Sequence, residues 1–353
     1  MSTDVQSRGP CGVPWRGQFK KTPSPVSRRR LFRAWILAGV LVCPFCLAAR
    51  NGNAAPSAQV LTYTYKHVGD LPIKADVYRL PDGRVRPVVV WIHGGGLIMG
   101  GRESLSERVR QMLLEAGYII VSIDYRLAPE TKLSQIMTDI EDAFAWLYRD
   151  GRALFAADTT RVAVVGGSAG GYLTLASGYR VRPRPAALVS LWGYGDIIGD
   201  WYSQPSPHTR HRRTVVTRDE AYREVSGPAI ANARHRQGDG GIFYQHCRQH
   251  GLWPQAVSGW NPHTDGERFL PYMPVHNVTS DYPPTMLIHG TEDTDVPYQQ
   301  SLMMAGQLDK HGVEAVFVTI AGAEHGLRGG DPAEIQSAYE AAVAFVGRYL
   351  NAP

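Results

Sequence analysis

Cysteine is scarce in this 353-residue chain, and three of its four cysteines, Cys11, Cys43 and Cys46, fall within the first fifty residues. The remainder holds Cys247 alone, which excludes a disulfide framework there and leaves stability to a packed core. Long hydrophobic runs are missing too. The longest, Ala34 to Ala49, spans sixteen residues and is broken by Pro44, short of the roughly 20 that a membrane-crossing helix needs. Internal repeats and low-complexity tracts are absent, so an ordered globular body is expected. Acidic residues are nearly absent from positions 1–50, which carry nine Lys/Arg against one Asp. That local excess of +8 exceeds the formal +5 of the whole chain and leaves −3 for residues 51–353. The basic balance therefore belongs to the leading segment, and nucleic-acid binding, which needs a basic face on the folded part, is excluded.

The leading segment has the parts of an export signal. Ser27-Arg28-Arg29-Arg30-Leu31-Phe32-Arg33 is cationic, the apolar run follows, and Ala48-Ala49 and Asn53-Ala54-Ala55 offer small residues for cleavage. The Ser-Arg-Arg-x-Leu-Phe order is similar to a twin-arginine signal, which implies export of an already folded protein, periplasmic or secreted. Neither Cys43 nor Cys46 follows a small residue, so lipid anchoring is not expected; an uncleaved signal acting as an anchor is the alternative. Residues 1–55 are thus read as a leader and 56–353 as the working domain, with no stable membrane insertion of the latter.

From Gln59 onward strand-like and helix-like segments alternate, the pattern of a mostly parallel sheet covered by helices. Val60–Val68 and Ile73–Leu80 alternate as an antiparallel opening pair, and Val88–Ile92 is a continuous apolar run of the kind buried on both faces. The spacing predicts helices over Ser104–Ala116, Ile136–Tyr148, Gly170–Gly178, Tyr298–His311 and Pro332–Leu350. Strands are predicted over Tyr118–Ile123, Val162–Val165, Ala187–Trp192, Thr285–His289 and Ala315–Ile320. Residues 193–282 break the alternation and are polar and aromatic. They are expected to form an inserted cap of short helices over the ligand crevice at the carboxyl ends of the strands.

Four loops at those carboxyl ends carry chemistry. Gly166-Gly167-Ser168-Ala169-Gly170 stands between a strand and a helix, where small neighbours let a serine sit at the tip of a tight, strained turn. His93-Gly94-Gly95-Gly96 ends the buried strand Val88–Ile92 and can present backbone N–H groups. Gly95 and Gly96, joined by Ala169, are the expected donors to an oxyanion, each contributing about 3–4 kcal/mol to barrier lowering. A serine needs a base, and the base needs an acid to orient it. Downstream, Gly322-Ala323-Glu324-His325-Gly326 follows the last strand and supplies His325 as base; His289 is read as a strand-end residue packed in the core. The loop His289–Pro297 offers Glu292, Asp293 and Asp295 as acids.

His93–Gly96, Asp124-Tyr125-Arg126-Leu127-Ala128-Pro129, Gly166–Gly171, His289–Pro297 and Glu324-His325-Gly326 together resemble the carboxylesterases of the hormone-sensitive-lipase type, an α/β-hydrolase fold. Within them, the bacterial acetyl xylan and feruloyl esterase-like group is most similar. Gly167 stands where the lipase-like pattern has an acid, which favours that group. The resemblance spans about Leu61 to Leu350. It implies Ser168, Asp293 and His325 as the triad, a structural role for Asp124–Pro129, and short acyl esters of carbohydrate or aryl alcohols as substrates. Asp295, just before Val296-Pro297, is expected to serve the start of the next helix and hence stability.

Neither cofactor nor metal is implied. His246 and His250 lie four apart on a possible cap helix but lack further ligands nearby, and read as a solvated face rather than a zinc site. His208 and His211 fall in a basic loop expected to face solvent. Two other functions are compatible with the Ser, Asp, His order: a serine peptidase of the prolyl-oligopeptidase type, and a catalytically silent binding protein on the same scaffold.

Overall fold

Apolar runs too uniform for any one-sided surface form the middle of the molecule. The computed structural model describes residues 58–351; the leader with its signal, cleavage sites and three cysteines lies outside the described residues. Eight strands make one sheet: β1 (Gln59–Val68), β2 (Leu71–Arg79), β3 (Arg86–Ile92), β4 (Ile119–Ile123), β5 (Ala157–Gly167), β6 (Ala187–Leu191), β7 (Thr285–Gly290) and β8 (Ala315–Ile320). Their spatial order is β1-β2-β4-β3-β5-β6-β7-β8. β2 runs antiparallel to both neighbours, and all other pairs are parallel.

Alternation along each strand divides the core between two faces. Val88, Val90 and Ile92 of β3 point to the side covered by α2 (Leu133–Phe155), α3 (Ala169–Arg180) and α7 (Gln299–Lys310). Val89 and Trp91 point to the side covered by α1 (Glu107–Glu115) and α8 (Pro332–Leu350). Local chemistry starts these helices. Ser106 accepts the N–H of Val109 ahead of α1, and Asp331 accepts those of Ala333 and Glu334 ahead of α8, with Pro332 at the first helical position. The α2 helix outruns its predicted end at Tyr148. Gly151 does not stop it, because its bare Cα is packed against Leu147, Phe155 and Ala157, where a Cβ would meet side chains at 2.9–3.3 Å.

The inserted segment contains α4 (Arg218–Glu224), α5 (Gly241–His250) and α6 (Trp253–Ser258) together with four-residue helical turns such as Asp200–Ser203. Its aromatic residues build a small core of their own. Tyr202 stacks on Trp253 with ring centroids 4.0 Å apart, Tyr194 meets both edge-on, and Phe243 is fully buried.

The Asp124–Pro129 segment holds the glycine loop after β3 in place. Tyr125 stacks on His93 at 4.2 Å and donates its hydroxyl to the His93 carbonyl at 2.9 Å, while the Ala128 N–H donates to Leu97 O at 2.8 Å. Arg126 forks onto the fully buried Asp139, Nε to Oδ2 at 2.7 Å and Nη2 to Oδ1 at 2.8 Å, and Lys66 completes the cluster at 2.7 Å. Removing one partner of a buried pair leaves a desolvated charge. Arg126→Met is therefore expected to lower stability in urea titrations by about 3 kcal/mol. A loss below about 1 kcal/mol would show that Lys66 alone compensates Asp139.

Candidate active site

Ser168 occupies the single-residue turn between β5 and α3 with φ 57° and ψ −123°, a conformation L-residues seldom adopt. Its N–H donates to Leu191 O at 2.9 Å, and its carbonyl accepts the N–H of Tyr172 at 3.0 Å, so both sides of the strained turn are tied down. Close approach depends on missing side chains. A Cβ on Gly170 would lie 2.0 Å from Ile92 O, and one on Gly94 would lie 2.8 Å from Gly167 O. The start of α3 and the loop after β3 thus press together, and Gly94 comes beside the Ser168 Cβ. Gly95 and Gly96 have φ of 107° and 62°, and with Ala169 their N–H groups carry no hydrogen bond within the described residues. Ala169 directly follows Ser168, and Gly95 and Gly96 follow the Gly94 that packs against it.

His325 follows β8 in a one-turn helix, His325–Leu327. Its Nε2 lies 3.1 Å from Ser168 Oγ, and its Nδ1 lies 2.8 Å from Asp293 Oδ2. With Nδ1 donating to the carboxylate, Nε2 is left as the acceptor that a serine proton requires. Asp293, on the loop after β7, is held at both oxygens. Oδ1 accepts the N–H groups of Asp295 and Val296, each at 2.9 Å, and Oδ2 faces His325 and, at 3.3 Å, His289 Nε2. Burial pushes its pKa up, but hydrogen bonds from His289 and His325 outweigh this and hold it at about 2. Of the three acids in the loop, Glu292 is exposed and Asp293 is the one that meets Nδ1. His289 is fully buried as read from the sequence, with Nδ1 on Ser301 Oγ at 2.7 Å, yet it also steadies Asp293.

Three sequence readings need correction. Asp295 does not serve the start of α7: its Oδ1 accepts from Tyr244 Oη at 2.7 Å and Arg248 Nη1 at 2.9 Å and lies 3.1 Å from His211 Nε2. Asp293 takes the N–H groups of Asp295 and Val296, and the Asp295 carboxylate faces the cap. Burial works against ionisation of Asp295, but His211, His325, Arg248 and Arg210 hold it far below the usual carboxylate range. His211 in turn is not a solvent-facing residue of a basic loop. It is buried between Ser206 Oγ at 2.8 Å and Asp295, and burial, opposed by Asp295, lowers its pKa. His246 is buried as well, with Nδ1 3.1 Å from Val216 O, while His250 is exposed.

Sequence reasoning missed four further residues. The indole of Trp192 lies 3.3 Å from where a Cβ on Gly167 would sit, and its ring meets His325 edge-on at 6.3 Å. A side chain at position 167 would crowd this ring, which is consistent with glycine there. Glu324 bridges the two catalytic loops, accepting from His325 N at 2.5 Å and Thr294 N at 3.2 Å while pairing with Arg210 at 2.8 Å. Trp253 donates its Nε1 to Gly96 O at 2.7 Å, and the Tyr244 ring fills the space a Gly96 side chain would need. No local pattern flags these contacts, which cross more than a hundred residues of sequence in the case of Gly96 and Trp253.

The depressed Asp293 pKa has a stability consequence with a definite sign. A carboxylate lowered from 3.8 to about 2 stabilises the fold above its unfolded value, and that stabilisation is lost as pH falls through about 2. It amounts to about 2 kcal/mol. The stability gap between the wild type and Asp293→Asn, measured by urea unfolding, should therefore narrow between pH 5 and pH 2. A gap constant over that range would rule out the assigned ionisation.

Comparison with known proteins agrees with this architecture. A non-reducing polyketide synthase of Penicillium rubens is 28% identical over 309 residues, 75% of this chain and 12% of that protein. Methylphloroacetophenone synthase of Cladonia uncialis is 35% identical over 176 residues, 45% of this chain and 7% of that protein. The chain thus spans about an eighth of the length of the curated relatives it matches. Among solved structures, a Staphylococcus aureus protein of unknown function superposes with a TM-score of 0.66 at 21% identity, covering 82% of this chain and 99% of that one. A truncated carbohydrate esterase from gut microbiota gives 0.62 at 16% identity over 85% and 99%. A thermophilic esterase of Thermogutta terrifontis with butyrate bound gives 0.57 at 20% over 84% and 95%. At these identities the likeness is one of fold. A family model described as alpha/beta hydrolase fold matches residues 89–328, from the middle of β3 to just past His325, and the chain belongs to that family.

Proposed function

We propose that this protein is a serine carboxylic ester hydrolase acting by two-step acyl transfer. The observation that carries the reading is the continuous relay Ser168 Oγ, His325, Asp293, with separations of 3.1 and 2.8 Å, beside a glycine loop whose Gly94 packs against Ser168. Ser168 attacks the ester carbonyl while His325 takes its proton, and Gly95, Gly96 and Ala169 receive the oxyanion. His325 then returns the proton to the departing alcohol, and water releases the acyl group by the same route. Asp293 fixes the tautomer and offsets the charge on the imidazolium.

Short acyl groups on carbohydrate or aryl alcohols are the proposed substrates. The resemblance of the sequence motifs supports this, as do the names of two fold neighbours, a carbohydrate esterase and an esterase with butyrate bound. The cap aromatics speak less for sugar stacking, since Tyr194, Tyr202 and Trp253 are buried against one another. Ser168→Ala is expected to leave a folded protein with hydrolysis reduced by at least about 10⁴. Across p-nitrophenyl esters kcat/KM should fall from acetyl or butyryl to dodecanoyl. Acetylated xylan, methyl ferulate, a short acyl thioester and a peptide amide complete the panel. Preference for dodecanoyl would make the protein a lipase, preference for the amide a peptidase, and an unlabelled Ser168 after organophosphonate treatment a silent scaffold.

We further propose export of the domain after cleavage of the leader near Pro56, supported by the cationic and apolar halves of residues 27–49. Intact-mass measurement of protein recovered from outside the cytoplasm should show residues 1–50 missing; their presence would favour an uncleaved anchor.

A further inference from the structure

The triad and its oxyanion donors come from the sheet loops, yet two of their supports come from the cap. Asp295 lies two residues past Asp293, and its own N–H is one of the two that hold Asp293 Oδ1. Its carboxylate is gathered by three cap side chains: Tyr244 and Arg248 on α5, and His211 on the turn Thr209–Arg212. Arg248 is itself buried, donates also to the Asp295 carbonyl at 2.9 Å, and lies over the Tyr202 ring at 4.9 Å. From Tyr244 the chain of contacts runs on to Gly96, whose Cα is so close to the ring that a Cβ would sit 2.8 Å from Cε2. The Gly96 carbonyl is held by a hydrogen bond from Trp253 Nε1. His325, Asp293, Asp295, Tyr244 and Gly96 are therefore joined in one uninterrupted series. Asp295 Oδ2 also stands 3.9 Å from His325 Nε2.

We propose that Asp295 is a positioning residue of the reaction, tying the cap through His211, Tyr244 and Arg248 to the loop of the orienting acid and so fixing Gly96 against Ser168. The inference rests on the serine-esterase reading. A hydroxyl–carboxylate bond of this kind is stronger than a neutral one, and three donors converging on one oxygen set its place. The Tyr244 ring, anchored by its hydroxyl, then limits where the Gly96 N–H can point. Oxyanion donors act only when aimed in advance, so loosening the anchor weakens transition-state stabilisation more than substrate binding.

The test uses Tyr244→Phe, Asp295→Asn and their combination, with p-nitrophenyl acetate as substrate and active sites counted by organophosphonate titration. Losing an oxyanion donor lowers kcat by about 10²–10³, and a displaced donor loses part of that. Tyr244→Phe should lower kcat per active site by about 10-fold and Asp295→Asn by about 10², with KM changed less than about 3-fold. Affinity for a trifluoromethyl ketone, which forms a tetrahedral adduct, should fall with kcat/KM. The double variant should be little worse than Asp295→Asn, because both break one link. A purely structural residue would change the fraction of active protein and leave these ratios alone. Should Asp295→Asn not fold, because Arg248 is left buried and unpaired, Tyr244→Phe decides. Its kcat per active site within about 2-fold of wild type overturns the proposal. If the organophosphonate does not label wild-type Ser168, the esterase reading fails and takes this inference with it. Labelled Ser168 with unchanged variants removes the inference alone.

Discussion

Everything at the catalytic edge depends on one close approach, the first turn of α3 against the end of β3. A side chain at position 170 would have to pass within 2.0 Å of Ile92 O, so only glycine lets the helix start there. That approach brings Ser168 beside Gly94 and its neighbours, which no single element could do. It also requires β3 and β5 to be adjacent and parallel, so that the loop of Gly94 and the turn of Ser168 leave the sheet side by side. Farther along the same edge, the parallel strands β7 and β8 lead into the loops of Asp293 and His325.

Charge is the second organising constraint, because the loops that matter are held by buried ions rather than covalent links. Among the described residues the only cysteine is Cys247, free and buried, with burial pushing its thiol up to about 12. In place of disulfides, Arg126 and Lys66 compensate Asp139, and Arg102 compensates Asp76 and Asp124 at 2.9 and 2.6 Å. Both clusters fasten the loop that carries Asp124–Pro129, and through Tyr125 and Ala128 they fasten the glycines after β3. Such pairs add little net stability where apolar packing could replace them, but breaking one partner is costly, so they specify one arrangement of the loop. A carboxylate in water would gain nothing from being so fixed; it is burial that makes the geometry decisive.

Much of the fold was legible because its signals are local. The runs Val88–Ile92, Ala187–Trp192 and Ala315–Ile320 read as strands from their own composition, and β8 and α8 begin and end where the spacing predicted. Boundaries slipped where tertiary packing overrode local punctuation, as at Gly151, where a residue that usually ends a helix serves as a contact surface. The insertion was recognisable as a break in alternation. Its interior was not, since the pairing of Tyr202 with Trp253 joins residues fifty apart that carry no shared pattern.

The same distinction runs through the site. Ser168, Asp293 and His325 stand in short motifs whose neighbours are fixed by the geometry of the turn, and the structure brings all three together. Asp295 shows the opposite case. Before Val296-Pro297 an aspartate satisfies the local rule for a helix start, and nothing within ten residues contradicts it. What decides its role is three donors separated from it by 47, 51 and 84 residues of sequence, Arg248, Tyr244 and His211. Asp293 takes the N–H groups of Asp295 and Val296, and the charge of Asp295 is met from outside the loop. A local rule names where a carboxylate could be used, and the donors that tertiary packing brings to it determine where it is used.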